Sequence, residues 1–237
     1  GEAIAHVLGF TNIDDRGQEG LELAFDDWLR GTPGAKRVIR DRRGRIVENV
    51  DLVRAAQPGR ELALSIDRRS QYLAHRELRT AITETGASSG SAVVLDVATG
   101  EVLAMVNLPT FNPNAVGTSP RDAHRNRAVT DLLEPGSTMK PLTVAAGLEA
   151  GAITADSLFN THPGWIANGK YRTTDTHNYG VLDTTGVIRK SSNIGAALIA
   201  RRLSDARFDA FLRRFGYGRV TGSGFPGEAA GLFPTPD

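Results

Sequence analysis

The chain has 237 residues, a length that fits one or two domains. Apolar residues make up 40% and charged ones 23%, ordinary for a globular protein with a real core, and a net charge of +1 gives no basis for a nucleic-acid partner. No cysteine is present, which excludes disulfides, thiolate metal sites and a cysteine nucleophile.

In chain order, Gly1 to Leu8 does not read as a natural start, and no leader sequence is visible. The chain is therefore expected to begin inside a longer protein. No apolar run approaches the ~20 residues needed to cross a bilayer. Gly20 to Leu29, with Leu21, Leu23, Phe25 and Trp28 on its apolar side, fits a short helix that ends at the breaker Gly31-Thr32-Pro33-Gly34. Arg37 to Arg40 and Arg45 to Val50 read as two strands around Arg43-Gly44. The arginines clustered here are interrupted by Asp41, Glu48 and Asp51, so they fit a solvated strand face. Leu62 to Ile66 is a further strand candidate. Asp67 can cap a helix running to about Thr85, with Gly86 as its left-handed stop.

After residues 86–90 the texture changes. Ala92 to Leu95 and Val102 to Val106 are apolar, partly β-branched runs joined by Asp96-Val97-Ala98-Thr99-Gly100, a buried hairpin pattern. Helices are expected near Thr138–Ala150, Ile194–Leu203 and Arg207–Phe215, with Thr185–Arg189 also helix-compatible. Strands followed by helices, without βαβ alternation, give an α+β class.

The segment Glu134-Pro135-Gly136-Ser137-Thr138-Met139-Lys140-Pro141 carries the clearest chemical signal. Residues three apart on a helix share a face, so Ser137 and Lys140 stand side by side at its first turn. A serine hydroxyl needs a base to take its proton, and a lysine amine can serve if burial or neighbours lower its pKa. The helix start also offers free backbone amides to a carbonyl under attack. An isolated Ser-x-x-Lys is weak evidence, because serine is a common helix cap. A second motif, Lys190-Ser191-Ser192-Asn193-Ile194-Gly195, lies between two helical stretches. There Ser191 can relay a proton, and Asn193 can orient the lysine or hold a substrate amide; alternatively Ser191 or Ser192 merely caps the next helix.

Ser-x-x-Lys followed by Ser-x-Asn resembles the active-site pattern of penicillin-binding proteins and serine β-lactamases. The flanks are more specific. With Asn178-Tyr179-Gly180-Val181-Leu182 and Phe225-Pro226-Gly227-Glu228, they resemble class B penicillin-binding proteins, closest to the division-type, penicillin-binding protein 3 group of Gram-negative bacteria. Gly20-Leu21-Glu22 with Phe25, Leu29 and Gly31, and Asp41-Arg42-Arg43-Gly44-Arg45, are similar to that family's non-catalytic pedestal.

The resemblance implies a pedestal over residues 1–88 and a transpeptidase domain over 89–237, the latter an antiparallel sheet flanked by helices. It implies that Ser137 attacks the carbonyl between two terminal D-alanines of a stem peptide, with Lys140 as base, Ser191 as proton relay and Asn193 as orienting amide. Ser192, Tyr179 and Asn178 are expected to contact substrate. The implied partners are stem peptides ending in D-Ala-D-Ala, β-lactams as covalent inhibitors, and division-complex membrane proteins including a glycosyltransferase. The implied location is the periplasmic side of the bacterial inner membrane, with the anchor outside this chain, and no cofactor or metal is called for.

The family's third motif, Lys-Ser/Thr-Gly, occurs nowhere in the 237 residues. The expectation is a transpeptidase domain truncated at its C-terminus, and a chain that is not a competent catalyst alone. A β-lactamase or carboxypeptidase is the nearest alternative, and the pedestal-like first third argues against a β-lactamase. A non-catalytic scaffold or antibiotic sensor is the alternative from another class. Gly222-Ser223-Gly224-Phe225-Pro226-Gly227 matches G-x-G-x-x-G but has Pro226 where a helix would begin, so a turn is expected. His6, His75, His124, His162 and His177 show no metal-ligand spacing, although His177 precedes the family-like Asn178-Tyr179-Gly180. Trp28 and Trp165 read as packing residues, with a place near the substrate groove as the alternative for Trp165. No G-x-S-x-G elbow surrounds Ser137, which disfavours a Ser-His-Asp hydrolase.

Overall fold

A computed structural model describes residues 1–233, so positions 234–237 of the expected transpeptidase segment lie outside the described residues. The described residues form two compact units, 1–131 with 222–229, and 132–221 with 230–233. Its strands pair as two-stranded antiparallel ladders. The class is mixed α+β, as the strand and helix runs suggest.

The first unit opens with α1 (Ala5–Leu8), the short pair β1 (Phe10–Thr11) and β2 (Gly17–Glu19), then α2 (Gly20–Ala24) and α3 (Asp26–Leu29). The single helix expected over 20–29 is thus broken at Phe25. β3 (Ala35–Arg40) and β4 (Ile46–Arg54) form the expected hairpin around Arg43-Gly44, where Gly44 takes φ +76. Its basic side chains are largely solvated, and Arg45 pairs with Asp41.

α4 (Arg68–Thr85) begins where Asp67 accepts a hydrogen bond from the Ser70 amide and ends at Gly86 in the left-handed region. Both signals were present in the sequence. β5 (Gly90–Leu95) and β6 (Val102–Leu108) make the expected hairpin, and α4 packs along it, but only β6 is buried as expected; Val93, Val94 and Leu95 of β5 are exposed. The unit ends at α5 (Arg127–Thr130), whose Val129 carbonyl accepts from the Ala229 amide.

Leu62 to Ile66 does not form the expected strand. The segment joins the hairpin only through the Ser65 hydroxyl, which donates to the Val102 carbonyl, and the Asp67 amide, which donates to Leu103. Its β-like composition serves packing instead: Leu62 and Ile66 rest against the cluster of Val7, Leu21 and Met105.

The second unit begins with a 3-10 turn, Gly136–Met139, that runs directly into α6 (Lys140–Glu149). β7 (Leu158–Asn160), β8 (Trp165–Asn168), β9 (Tyr171–Thr174) and β10 (Val181–Asp183) follow, with β7 paired to β10 and β8 to β9. Then come α7 (Thr184–Arg189), α8 (Asn193–Ala200) and α9 (Asp205–Arg214). α6 lies between two apolar clusters. Val144 joins Ile153, Phe159, Val187 and Ile199 on one side, and Ala146 joins Phe211 and Leu212 on the other. Two glycines allow the helices to close up. A Cβ on Gly147 would fall 3.0 Å from Ile153 and Ile199 side-chain atoms, and one on Gly195 would fall 2.5 Å from a Val187 methyl.

The first unit contains a buried polar clamp that periodicity does not reveal. Gln71, only 3% exposed on α4, accepts from the Met105 amide at 2.9 Å and donates to the Met105 carbonyl at 2.8 Å and the Ala3 carbonyl at 2.6 Å. Removing this amide strands buried backbone groups. Gln71→Leu is expected to lower unfolding free energy by about 1–3 kcal/mol in chemical denaturation. An unchanged midpoint would show that the clamp adds nothing.

Candidate active site

The serine and lysine of Ser137-Thr138-Met139-Lys140 come together because the turn before α6 is 3-10, a geometry in which side chains three apart eclipse one another. This differs from the α-helical first turn expected from sequence and brings the pair closer into line. Gly136, at φ +61, supplies the left-handed entry that turns the chain into it. Pro141, in the first turn of α6, has no intrahelical partner to lose there.

Lys140 Nζ lies 3.1 Å from Ser137 Oγ, 2.9 Å from Ser191 Oγ and 2.5 Å from the Ser191 carbonyl oxygen. Ser191 Oγ in turn lies 3.1 Å from Ser137 Oγ, closing a triangle of two hydroxyls and one amine. Lys140 is only 9% exposed, whereas Ser137 and Ser191 are exposed. The amine is thus withdrawn from water while the two serines lie at the surface. Burial pushes the Lys140 pKa below the ordinary lysine value, and the negative charge of Asp175 offsets part of that shift.

The arrangement fixes where the lysine lone pair goes. An ammonium has three protons to donate, and the three oxygens around Nζ match them. A carbonyl can only accept, so after deprotonation the Ser191 carbonyl still holds one N–H. The lone pair then falls on a hydroxyl, Ser137 or Ser191. The site is built for proton transfer to and from a serine oxygen.

Ser191 reaches this position through a backbone strain. It is one of two non-glycine residues with positive φ among the described residues, at +51. The conformation turns its carbonyl and hydroxyl onto the same amine.

The remaining residues of the second motif take different roles. Ser192 is fully buried; its hydroxyl accepts from the Gly195 amide at 2.8 Å and donates to Asp175 at 2.6 Å. Ser192, expected to contact substrate, is here the cap of α8, its hydroxyl bonded to the Gly195 amide and to Asp175 inside the fold. Asn193 is exposed and donates through Nδ2 to the Thr174 carbonyl at 2.8 Å. Among the described residues it makes no direct hydrogen bond to Lys140.

Asn178 and Tyr179 shape the loop between β9 and β10. Asn178 accepts from the Gly180 amide and pairs with His162, while the Tyr179 hydroxyl pairs with Thr176. Neither is hydrogen-bonded to the Ser137–Lys140–Ser191 triangle. Trp165 is 40% exposed with the Arg172 guanidinium 3.6 Å from its ring centre, so it is less a core residue than its size suggested. Among the described residues, no cluster of three or more histidine or acidic side chains is placed to hold a metal.

The residue that sequence reading missed is Asp175. It follows β9 and its carboxylate accepts from the Ser192 hydroxyl and from the Asn193 and Ile194 amides. An aspartate with Asn168-Gly169 seven residues upstream, between β-prone runs, marks the exit of a tight hairpin. Gly169 does take φ +56 in the two-residue loop joining β8 and β9.

Residues 90–237 match the family model described as penicillin binding protein transpeptidase domain, and residues 2–64 match the penicillin-binding protein dimerisation domain. The chain is 46% identical over 234 residues to the peptidoglycan D,D-transpeptidase FtsI of Escherichia coli, covering 99% of this chain and 39% of that protein. It is 45% identical to the probable peptidoglycan D,D-transpeptidase PenA of Neisseria gonorrhoeae, covering 98% of this chain and 40% of that one. The chain thus spans about two-fifths of these relatives. Among solved structures, penicillin binding protein 3 of Mycobacterium tuberculosis in complex with aztreonam aligns at a TM-score of 0.82 and 36% identity, over 99% of this chain and 50% of that one.

The capping geometry gives a direct test. Ser192→Ala removes the acceptor for the Gly195 amide and the donor to Asp175, and is expected to destabilise the protein by about 1–2 kcal/mol in denaturant unfolding. A substitution without effect would mean that α8 starts equally well without its cap.

Proposed function

The chain belongs to the penicillin-binding protein transpeptidase family, and on that premise we propose that it carries the acyl-transfer centre of a peptidoglycan D,D-transpeptidase of the division type. The observation that carries the reading is the amine of Lys140 lying 3.1 Å from Ser137 Oγ in a buried setting that lowers its proton affinity.

In this reading the unprotonated Lys140 takes the proton of Ser137 as Oγ forms a bond to the carbonyl carbon between the two terminal D-alanines. The start of the Gly136–Met139 turn leaves backbone amides without helical acceptors beside the developing oxyanion. Ser191, hydrogen-bonded to both Lys140 and Ser137, delivers a proton to the departing amine as the C–N bond breaks. D-Alanine leaves, and the acyl group remains on Ser137. The amine of a neighbouring stem peptide then attacks the ester, giving its proton back through the same hydroxyl–amine network, and a cross-link forms. A β-lactam offers the same carbonyl in a strained ring and leaves a slowly resolved ester on Ser137. Asn193 holds a substrate amide through its oxygen.

The proposal extends to organisation and setting. Residues 1–88 act as the pedestal and 89–237 as the transpeptidase segment. The hairpin of β5 and β6, assigned to the second segment by sequence, packs on α4 within the first compact unit. No described helix is long and apolar enough to cross a membrane. The relatedness to FtsI supports work on the periplasmic face of the inner membrane, alongside division-complex proteins including a glycosyltransferase.

The test is intact-mass analysis of the full-length protein after exposure to a β-lactam. One adduct per chain is expected, absent in Ser137→Ala, and Lys140→Ala is expected to slow its formation by roughly 10²–10⁴-fold. An adduct that survives Ser137→Ala would sink the assignment. Rapid hydrolytic turnover of the penicillin would move it to the β-lactamase alternative.

A further inference from the structure

The triangle of Ser137, Lys140 and Ser191 depends on a joint between two helices. On one side the Ser191 and Ser192 amides are tied to the last turn of α7, donating to the Ile188 and Val187 carbonyls. On the other, the end of β9 grips the start of α8. Asp175 Oδ1 accepts from the Asn193 amide at 2.5 Å and the Ile194 amide at 3.1 Å, Oδ2 accepts from the Ser192 hydroxyl at 2.6 Å, and the neighbouring Thr174 carbonyl accepts from Asn193 Nδ2 at 2.8 Å. The Asp175 amide is itself anchored on the Gly164 carbonyl at 3.1 Å. Ser191 sits between these two clamps in its left-handed conformation.

We propose that Asp175 is a positioning residue of the acyl-transfer centre: by fixing residues 192–194 it holds Ser191 in the backbone conformation that presents both its carbonyl and its hydroxyl to Lys140. The inference rests on the reading of Ser137 as nucleophile and Lys140 as base. It goes beyond that reading because Asp175 belongs to neither sequence motif and touches no reacting atom. A non-glycine residue persists at positive φ only when its surroundings over-determine it. Here the surroundings on the α8 side converge on one carboxylate. A charge-assisted set of hydrogen bonds is the stronger kind, and a helix start favours a negative partner.

Asp175 has a second, separable effect. Among the described residues it is the charged group acting on Lys140, and its charge favours the protonated amine against burial. The other groups facing Nζ are the Ser137 and Ser191 hydroxyls and the Ser191 carbonyl. Removing the charge while keeping the clamp lets Lys140 lose its proton at lower pH. Asparagine removes the charge and keeps most of the clamp: its oxygen can accept from the Asn193 and Ile194 amides, while its nitrogen cannot accept and gives up the bond from the Ser192 hydroxyl.

The experiment measures the acylation rate per titrated active site with a fluorescent penicillin, using full-length wild type, Asp175→Ala and Asp175→Asn across about pH 5 to 10. Asp175→Ala is expected to slow acylation by roughly 10- to 100-fold per site, the scale a misplacement of about 1 Å can cost. Asp175→Asn is expected to lose less rate and to move the acid limb of the profile to lower pH. Where the alanine variant fails to fold, the asparagine variant carries the test. Rates within about twofold of wild type together with an unmoved acid limb overturn the proposal, as does a loss confined to the number of active sites. A wild-type protein without an adduct on Ser137 overturns the underlying reading, and this inference with it.

Discussion

A lysine amine withdrawn from water must give each of its protons an acceptor, or the burial is too costly to persist. In this protein that requirement falls on Ser191, which meets Lys140 with both its carbonyl and its hydroxyl. The amine belongs to α6, and its acceptors belong to the joint between α7 and α8. The chemistry therefore depends on three helices holding their mutual distance to a few tenths of an ångström. Apolar packing supplies this. Val144, Val187 and Ile199 meet in one cluster, and Gly147 and Gly195 are bare where a methyl would push the helices apart. Close packing transmits small changes rather than absorbing them, so a cluster of ordinary core residues sets the geometry of the Lys140–Ser191 contacts.

The same constraint explains the mixture of strained and relaxed backbone around the site. Gly136 takes its positive φ without a side-chain penalty, whereas Ser191 takes a similar conformation with a side chain attached. Glycine at 191 would be less strained but would remove the hydroxyl that touches both Lys140 and Ser137. The strain is held by ties from α7 and from the carboxylate after β9. Ser192 shows how one buried hydroxyl serves two purposes, capping α8 and linking it to Asp175.

Local signals in the sequence were read well where local chemistry decides the outcome. Asp67 and Gly86 bound α4 because a cap and a left-handed stop are properties of a few neighbouring residues. The spacing of Ser137 and Lys140 placed them together, and the resemblance of the flanks placed Ser191 beside them. Other features are set by distant partners. Leu62–Ile66 looks like a strand, yet its neighbour bonds it through one hydroxyl and one amide rather than a ladder. Ser192 and Asn193 follow Ser191 directly, but burial separates a cap from an exposed amide, and burial is tertiary. Asp175 was invisible as a site residue because its partners lie 17 to 19 positions away. Its hairpin went unread as well, although Asn168-Gly169 is a turn signal.

The central claim is that Lys140 acts as the base, with burial lowering its affinity for the proton. The most direct measurement follows the Lys140 side chain of the wild-type protein by NMR through a pH titration, beside the pH dependence of β-lactam acylation in the same buffer. The account expects one shared midpoint, below that of an ordinary lysine, with acylation rising as the amine loses its proton. A Lys140 that stays charged over the pH range in which acylation already runs at full rate would contradict it.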